Sequence, residues 1–582
     1  MAWTVVVADV NGDGRPDLVT VNYGGLSNGD GTVGILLGNG DGSFRTVVRY
    51  DAGGGGPFGI AVGDLNGDGK PDLVVATQGC LAMSTNCLSV LLGIGDGTFK
   101  PAVPYSRGIG VDWGLGPGML APVMIGDING DSKADLVVVN QTHSNFGDGQ
   151  VGVLLGNGDG TFKPIVTYDT GGFAAFSGFL LDVNGDGKSD VVVLNCSSSG
   201  STDCGHDGVI GVLLGNGDGT FKKATTYDSG GLGGTTALAI ADVNGDGKPD
   251  ILVGNGCPGN CVGVGSFGVL MNRGDGTFQG VVTYPLTGVG GVESIAVGDL
   301  NGDGKPDLAM VGNGIDAWLN KGDGTFQFSD SYPTTGNTQQ VLLTDLDGDG
   351  KLDFVDNNIT SNTADARLGN GDGTFQSIQT FKLGGQQISW TTIADVNGDG
   401  RPDLISANWC SPSCQTEEGS VGVLLNVALF PNPTSTTLVS SLNPSFYGQR
   451  VTFTAKVANI GGTAPPTGQV VFKGKDIYGN TFAIGRASLD GSGVAILIKS
   501  NLSAIPYQIT AVYLGDALHQ SKAASAMTNS VRFPRVALSS PPTASPVRVA
   551  TDSVARLSSV AKGMIANTAR MNSSVCDSGL SL

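Results

Sequence analysis

Apolar residues in this chain come in short runs, and the polar residues between them recur in a fixed order. One run enters an acidic loop, as in Ile60-Ala61-Val62-Gly63-Asp64, and a second leaves it, as in Leu73-Val74-Val75-Ala76. A variable segment rich in Gly, Ser and Asn follows. A third run, Val90-Leu91-Leu92-Gly93, passes into Gly95-Asp96-Gly97-Thr98-Phe99, and a weaker fourth crosses Ala102-Val103-Pro104-Tyr105. Runs this short, bounded by turn residues, predict β-strands. Helical periodicity is absent, and 96 Gly suit a turn-rich all-β chain.

The acidic loop is written eight times, starting at Asp9, Asp64, Asp127, Asp182, Asp242, Asp299, Asp345 and Asp395, at intervals of 46 to 63 residues. Four short strands and three turns per repeat of that length predict one blade of a β-propeller. Eight first, second and third strands are legible but only seven clear fourth strands. Eight blades are therefore favoured over seven, with the last fourth strand weak or missing.

An oxygen-bearing side chain stands at positions 1, 3, 5 and 9 of every loop. Ca²⁺ takes six to eight hard oxygen ligands at roughly 2.3–2.6 Å, which this spacing can supply. In the first copy the side-chain ligands would be Asp9, Asn11, Asp13 and Asp17, with the backbone carbonyl of Arg15 at position 7. Its side chain would then point to solvent. The same positions hold Asp64, Asn66, Asp68, Lys70 and Asp72 in the second copy, and Asp127, Asn129, Asp131, Lys133 and Asp135 in the third. They hold Asp182, Asn184, Asp186, Lys188 and Asp190, then Asp242, Asn244, Asp246, Lys248 and Asp250, then Asp299, Asn301, Asp303, Lys305 and Asp307. The last two copies have Asp345, Asp347, Asp349, Lys351 and Asp353, and Asp395, Asn397, Asp399, Arg401 and Asp403. An EF-hand would close its site with Glu at position 12, where the first copy has Thr20. The residues after position 9 favour strand, so the loop joins two strands. A bare Asn-Gly or Asp-Gly hairpin turn is the competing reading, but it does not need four oxygens at fixed spacing.

Charge supports metal. The eight loops hold 25 carboxylates and eight Lys or Arg, a balance of −17 against −20 for the whole chain. Eight Ca²⁺ would cancel nearly all of it. With nothing basic clustered, nucleic acid is not an expected partner.

The eight loops and the Gly-Asp-Gly-Thr-Phe turns, which end at Phe99, Phe162, Phe221, Phe278, Phe326 and Phe375, with Ser before Phe44, resemble FG-GAP or VCBS repeats, the units of integrin-α-type propellers. The resemblance covers residues 3 to 427 and implies one Ca²⁺ loop between the first and second strands of each blade. The chain departs from it at Ser132, where Gly is lost from position 6 and a weaker site is expected. Asp347 in place of Asn should strengthen its own site. The Phe residues read as wedges between neighbouring blades.

Eight of the nine Cys fall in close pairs, Cys80–Cys87, Cys196–Cys204, Cys257–Cys261 and Cys410–Cys414, each between the second and third strands of its repeat. Local disulfides bracing surface hairpins fit this placement. Zinc would need four ligands per site, and only His206 lies near any pair. Disulfides imply an oxidising compartment, extracellular or cell-surface. Cys576 is left over. Met1-Ala2-Trp3 enters a strand almost at once with no signal peptide visible, so a truncated start is expected. No apolar run approaches the roughly 20 residues of a membrane span.

The domain reading is a propeller at 1–427, a linker at 428–434 marked by Pro431-Asn432-Pro433, an immunoglobulin-like β-sandwich at 435–531 and a disordered tail at 532–582. A short helix is entertained from Val554 to Met571. In the sandwich, Val451-Thr452-Phe453-Thr454-Ala455, Val470-Val471-Phe472 and Ile509-Thr510-Ala511-Val512-Tyr513 alternate as strands. The runs SSLNPSFYGQRVTFTAKV, PTGQVVF and ITAVYLGDALHQSKA resemble bacterial Ig-like repeat domains of surface proteins.

His143, His206 and His519 are scattered, and no nucleophile–base motif accompanies them. Arg273-Gly274-Asp275 fills the slot of Asn-Gly-Asp in sibling turns and reads as repeat drift. Two functions remain. One is a secreted or cell-surface, Ca²⁺-stabilised recognition or adhesion scaffold, non-catalytic and monomeric, binding protein or carbohydrate at its hairpins. Candidate contacts are Trp113, Trp409 and Ser144 to Gln150. The other is a secreted polysaccharide lyase or glycoside hydrolase on a Ca²⁺-loaded propeller. Basic residues are sparse in the propeller, and eight of them sit at position 7 of the loops, which favours the first.

Overall fold

The computed structural model describes residues 1–532, apart from 24–29, 81–86, 107–122, 141–147, 198–207, 257–262, 411–418, 427–433, 461–464, 477–480, 503–506 and a few single positions. Trp113, residues 144–147, the tail and its suggested helix lie outside the described residues. Among those described the protein is all-β, with no helix.

Each repeat is an antiparallel meander with its strands in chain order. In the fifth, Thr235–Ala241 leads into the acidic loop, Asp250–Asn255 leaves it, Val264–Leu270 follows, and Val282–Val289 lies at the edge. All eight second strands begin on the Asp at position 9 of the loop, from Asp17–Asn22 to Asp403–Cys410. The eighth repeat has three described strands, Gln386–Ala394, Asp403–Cys410 and Ser420–Leu424. Its fourth strand is the one the sequence leaves weak.

One difference from the sequence reading concerns continuity. Val48–Gly63 is a single 16-residue strand that serves as fourth strand of one repeat and first strand of the next. Val166–Leu181 does the same between the third and fourth repeats. Bulges take up the turn. Gly53, at φ +78°, follows the outer segment, and the register shifts again between Pro57 and Gly59.

The core lies between neighbouring repeats. Val19, Val21, Val33 and Ile35 of the first pack with Ile60, Leu73, Val75, Leu91 and Phe99 of the second. Second strands are covered on both faces, which explains their unbroken apolar runs. First and last repeats also meet. Ala2, Val5 and Leu18 share a cluster with Val396, Ile405 and Ala407, and Ser389 Oγ donates to the Ala2 carbonyl at 2.9 Å. The Trp3 and Trp409 rings lie 5.5 Å apart.

Beyond the repeats, Thr434–Ser440, Val451–Asn459 and Val494–Lys499 form one sheet; Thr481–Ser488, Gln469–Asp476, Tyr507–Tyr513 and Lys522–Ala523 form another, with Met527–Asn529 also paired to Tyr507–Tyr513. Alternation sends Val451, Phe453, Ala455 and Val457 inward to meet Val470, Phe472, Ile509, Ala511 and Tyr513. This is the two-layer core of an Ig-like sandwich.

Candidate metal loops

The eight loops share one backbone. In the first, Asp9 Oδ1 accepts from the amides of Gly12 at 2.8 Å and Asp13 at 3.2 Å, and Oδ2 from Gly14 at 2.8 Å. Asn11 Oδ1 accepts from Asp13 N, and Asp13 Oδ1 from Arg15 N. The curl needs left-handed backbone at positions 4 and 6, where Gly12 and Gly14 stand at φ +73° and +78°. Ser132 adopts φ +63° at position 6 of the third loop, the strained conformation its sequence predicts, and its amide still donates to Asp127 Oδ2 at 2.8 Å.

Position 9 has a structural task that spacing alone does not reveal. Asp17 Oδ2 accepts from Val10 N inside the loop, and its Oδ1 from Gly38 N at the end of the third strand. All eight copies repeat this clamp, with the third-strand amide, from Gly38 to Asn426, at 2.7 Å. All eight carboxyls are buried, and burial raises the pKa of each; that of Asp353 reaches about 7. The clamp thus accounts for position 9 without a metal. Each carboxylate oxygen has two lone-pair sites, so one N–H per oxygen leaves capacity for a cation.

Position 7 departs from the expectation that its side chain points to solvent. In six loops the Lys ammonium turns back to the position 5 carboxylate, from 3.7 Å for Lys70–Asp68 to 2.7 Å for Lys351–Asp349. The lysine stem covers the Gly of the nearby turn, as Lys70 covers Gly95. These pairs are half-exposed and worth at most about 1 kcal/mol each.

The seventh loop gathers its charges most tightly. Carboxylate oxygens of Asp345, Asp347 and Asp353 all lie within 4.8 Å of one another. Asp347 is 5% exposed, and burial, then Asp349 and Asp345, raise its pKa to about 6. An oxygen-only donor set of this kind suits a hard divalent cation and offers nothing to a soft one. In the other loops Asn holds position 3, so fewer carboxylates converge.

The Gly-Asp-Gly-Thr-Phe turns are self-contained. Thr98 donates through both N and Oγ1 to Asp96, five sibling Thr turns repeat the pair, and Ser43 makes it with Asp41. Arg273 Nη1 donates to Phe278 O within its own turn, consistent with drift. The sequence reading overlooked the partner of the Phe wedge. Tyr50, Tyr105, Tyr168, Tyr227, Tyr284 and Tyr332 each set their ring 5.4–6.0 Å from the Phe of the following repeat. In four of these pairs the Phe amide donates to the Tyr hydroxyl. A Tyr six residues after six of the seven turn Phe, with Phe381 in that place after Phe375, was the available signal.

Of the cysteines, Cys87 begins the strand Cys87–Leu91, Cys410 ends Asp403–Cys410, and both are buried. The side chains of Cys80 and Cys196, and all of Cys204, Cys257, Cys261, Cys414 and Cys576, lie outside the described residues. No described helix is long and apolar enough to cross a membrane.

Two family profiles match the chain. The profile of the FG-GAP-like repeat matches residues 9–75, 127–193, 182–253, 261–310, 309–355 and 357–406, more than half of the chain. That of the bacterial Ig-like domain (group 3) matches 438–532. Integrin alpha pat-2 of Caenorhabditis briggsae is 25% identical over 238 residues, covering 35% of this chain and 18% of that protein. The chain therefore spans under a fifth of this relative's length. A crystal structure of a protein from Lactobacillus plantarum aligns over 63% of this chain and 96% of its own at 13% identity, with a TM-score of 0.38.

Proposed function

The chain belongs to the FG-GAP-like repeat family and carries a bacterial Ig-like domain, and from that premise we propose that it is a calcium-stabilised, non-catalytic recognition or adhesion scaffold working outside the cell. The observation that carries the reading is the eightfold acidic loop, held between two strands by the position 9 clamp, with three carboxylates converging in the seventh copy. Asp345, Asp347, Asp349, the Lys351 carbonyl and Asp353 would hold one Ca²⁺, and the same positions of the other copies would hold the rest. A bound Ca²⁺ supplies charge neutralisation and no chemistry. The protein's own groups fix the loop backbone and present the variable segments between second and third strands.

The eight repeats close into an eight-bladed propeller in this reading, supported by the contact of Ala2 and Trp3 with Ser389 and Trp409. The four Cys pairs brace the hairpins as local disulfides. A protein or glycan partner would meet those hairpins, since loops on a rigid scaffold tolerate change. The Ig-like domain serves as spacer or attachment module.

Removing calcium is the direct test. A ligand that binds only the native state stabilises by about 2.7 kcal/mol per site at a hundredfold excess over Kd. EGTA should therefore lower the melting temperature by many degrees, and native mass spectrometry should count about eight ions. An unchanged melt with no metal bound would refute the calcium reading. For the recognition reading, the calcium-loaded protein is screened against glycans and acidic and neutral polysaccharides. Saturable binding without product supports it. Release of reducing or unsaturated ends, abolished by one substitution outside the loops, would replace it with a lyase or hydrolase.

A further inference from the structure

The first strands of the fourth to eighth repeats surround a half-open cavity of about 470 Å³, within the range of small-molecule sites. Its wall is mostly apolar, with Phe176, Phe179 and Trp390 among the lining residues. One charged residue lines it. Glu293 is one of only three Glu in the chain and stands six residues before the first Asp of its loop. The equivalent described positions hold Trp3, Phe58, Phe176, Thr236, Gln339 and Ser389, none of them charged. The backbone of Glu293 is fixed by its amide, which donates to Val311 O at 2.9 Å. Its carboxylate makes no hydrogen bond or ion pair with any described residue. Glu293 is exposed to solvent at the open side of the cavity, while the atoms around it partly desolvate the carboxyl and raise its pKa, with no neighbouring cation to lower it.

A second, independent feature points the same way. Ser177 lines the cavity at 4% exposure, and its hydroxyl has no hydrogen-bond partner among the described residues. Gln340, also in the wall, accepts from Thr391 N through Oε1, which leaves its amide NH₂ without a described partner. A lone carboxylate cannot ligate a metal well, and an anion would be repelled. An apolar wall with aromatic faces and one uncompensated negative charge suits an organic cation.

We propose that this cavity binds a small organic cation, an ammonium group joined to a compact apolar body. The ammonium sits against Glu293, and the body is enclosed by the aromatic wall, with Ser177 and Gln340 free to bond its polar atoms. The proposal needs neither the hairpin contacts nor calcium occupancy to be right.

The test uses the full chain, folded in calcium, and two probes of equal shape, 2-phenylethylamine and 2-phenylethanol, by titration calorimetry. The amine should bind at least tenfold more tightly. Glu293→Gln should cost the amine about tenfold while leaving the alcohol unchanged, and Glu293→Asp should keep the preference for the amine. Ala296→Leu, which fills the space, should weaken both probes. Equal affinity for the two probes would overturn the proposal, as would full amine affinity in Glu293→Gln. Absence of binding at millimolar concentration, or indifference to Ala296→Leu, would also overturn it.

Discussion

In the second repeat, the strand after the acidic loop runs Leu73, Val74, Val75 and Ala76, all fully buried. In the seventh, the equivalent strand runs Phe354, Val355, Asp356, Asn357 and Asn358, buried as deeply. Opposite Val75 stands Ser89, and opposite Asp356 stands Asp365. The seventh repeat keeps its polar interior because its groups find partners. Thr338 donates to Asp356 at 2.9 Å, Thr380 to Asp365 at 2.6 Å, and Asn358 to Thr335 at 2.8 Å. Arg367 donates to the carbonyls of Pro333 and Gln376. Both repeats share the loop, the position 9 clamp and the turn before Phe. The module is therefore specified by its punctuation more than by its filling. Partnered polar groups can replace an apolar strand interior.

Transplanting the charge should break the second repeat. Val75→Asp puts a carboxylate among Val19, Val33, Ile60 and Leu91 without the threonines or arginine of the seventh repeat. An unpartnered buried charge costs about 4 kcal/mol or more. Denaturant unfolding should show a loss of that size, or no folded protein. A loss below about 1 kcal/mol would mean that the strand interior carries little of the specificity at all.

This contrast marks what the sequence could convey. Strand order, the eight loops, the alternation in the sandwich and the strain at Ser132 depend on residues close in the chain, and all were legible. The clamp from Asp17 to Gly38 and the Tyr50–Phe99 contact join residues 21 and 49 apart; the recurring Tyr was visible in the sequence, but local pattern names neither partner. The folded-back Lys351 was missed because a backbone-ligand role was taken to free the side chain. The polar interior of the seventh repeat was visible as Asp356-Asn357-Asn358, but its burial depends on partners from three other strands and loops.

The pH dependence of Asp356 sharpens the comparison with a smaller effect. Burial, then the neighbouring Asp365, raises its pKa from 3.8 to about 7. A carboxyl whose folded pKa is raised favours the native state fully below its unfolded pKa. That contribution is lost as pH rises through the window from about 4 to 7. Asp356→Asn removes the ionisation and keeps an acceptor for Thr338. It should be near neutral at pH 4 and stabilising by roughly 2–4 kcal/mol at pH 8. Urea titrations of variant and parent at both pH values isolate the term, since the acidic loops titrate equally in each. A variant destabilised at pH 8 would show that Arg367 holds Asp356 ionised and that the charge is structural.

The smallest effect separates the second and third loops at position 6. Ser132 sits at φ +63° where the second loop has Gly69 at φ +77°. No atom lies within 4 Å of a Cβ built at Gly69, so a side chain there meets no obstacle and the cost of Ser is conformational alone. Left-handed backbone costs a non-Gly residue about 1–2 kcal/mol. Glycine gives part of that back through its freer unfolded chain. Ser132→Gly should therefore stabilise by roughly 0.5 kcal/mol, and Gly69→Ser should destabilise by about 1 kcal/mol, with the ion count of the protein unchanged in both. A shift of several kcal/mol for Gly69→Ser, or loss of an ion, would mean that position 6 crowds the loop interior. The strain at Ser132 would then have to be offset by contacts that its siblings lack.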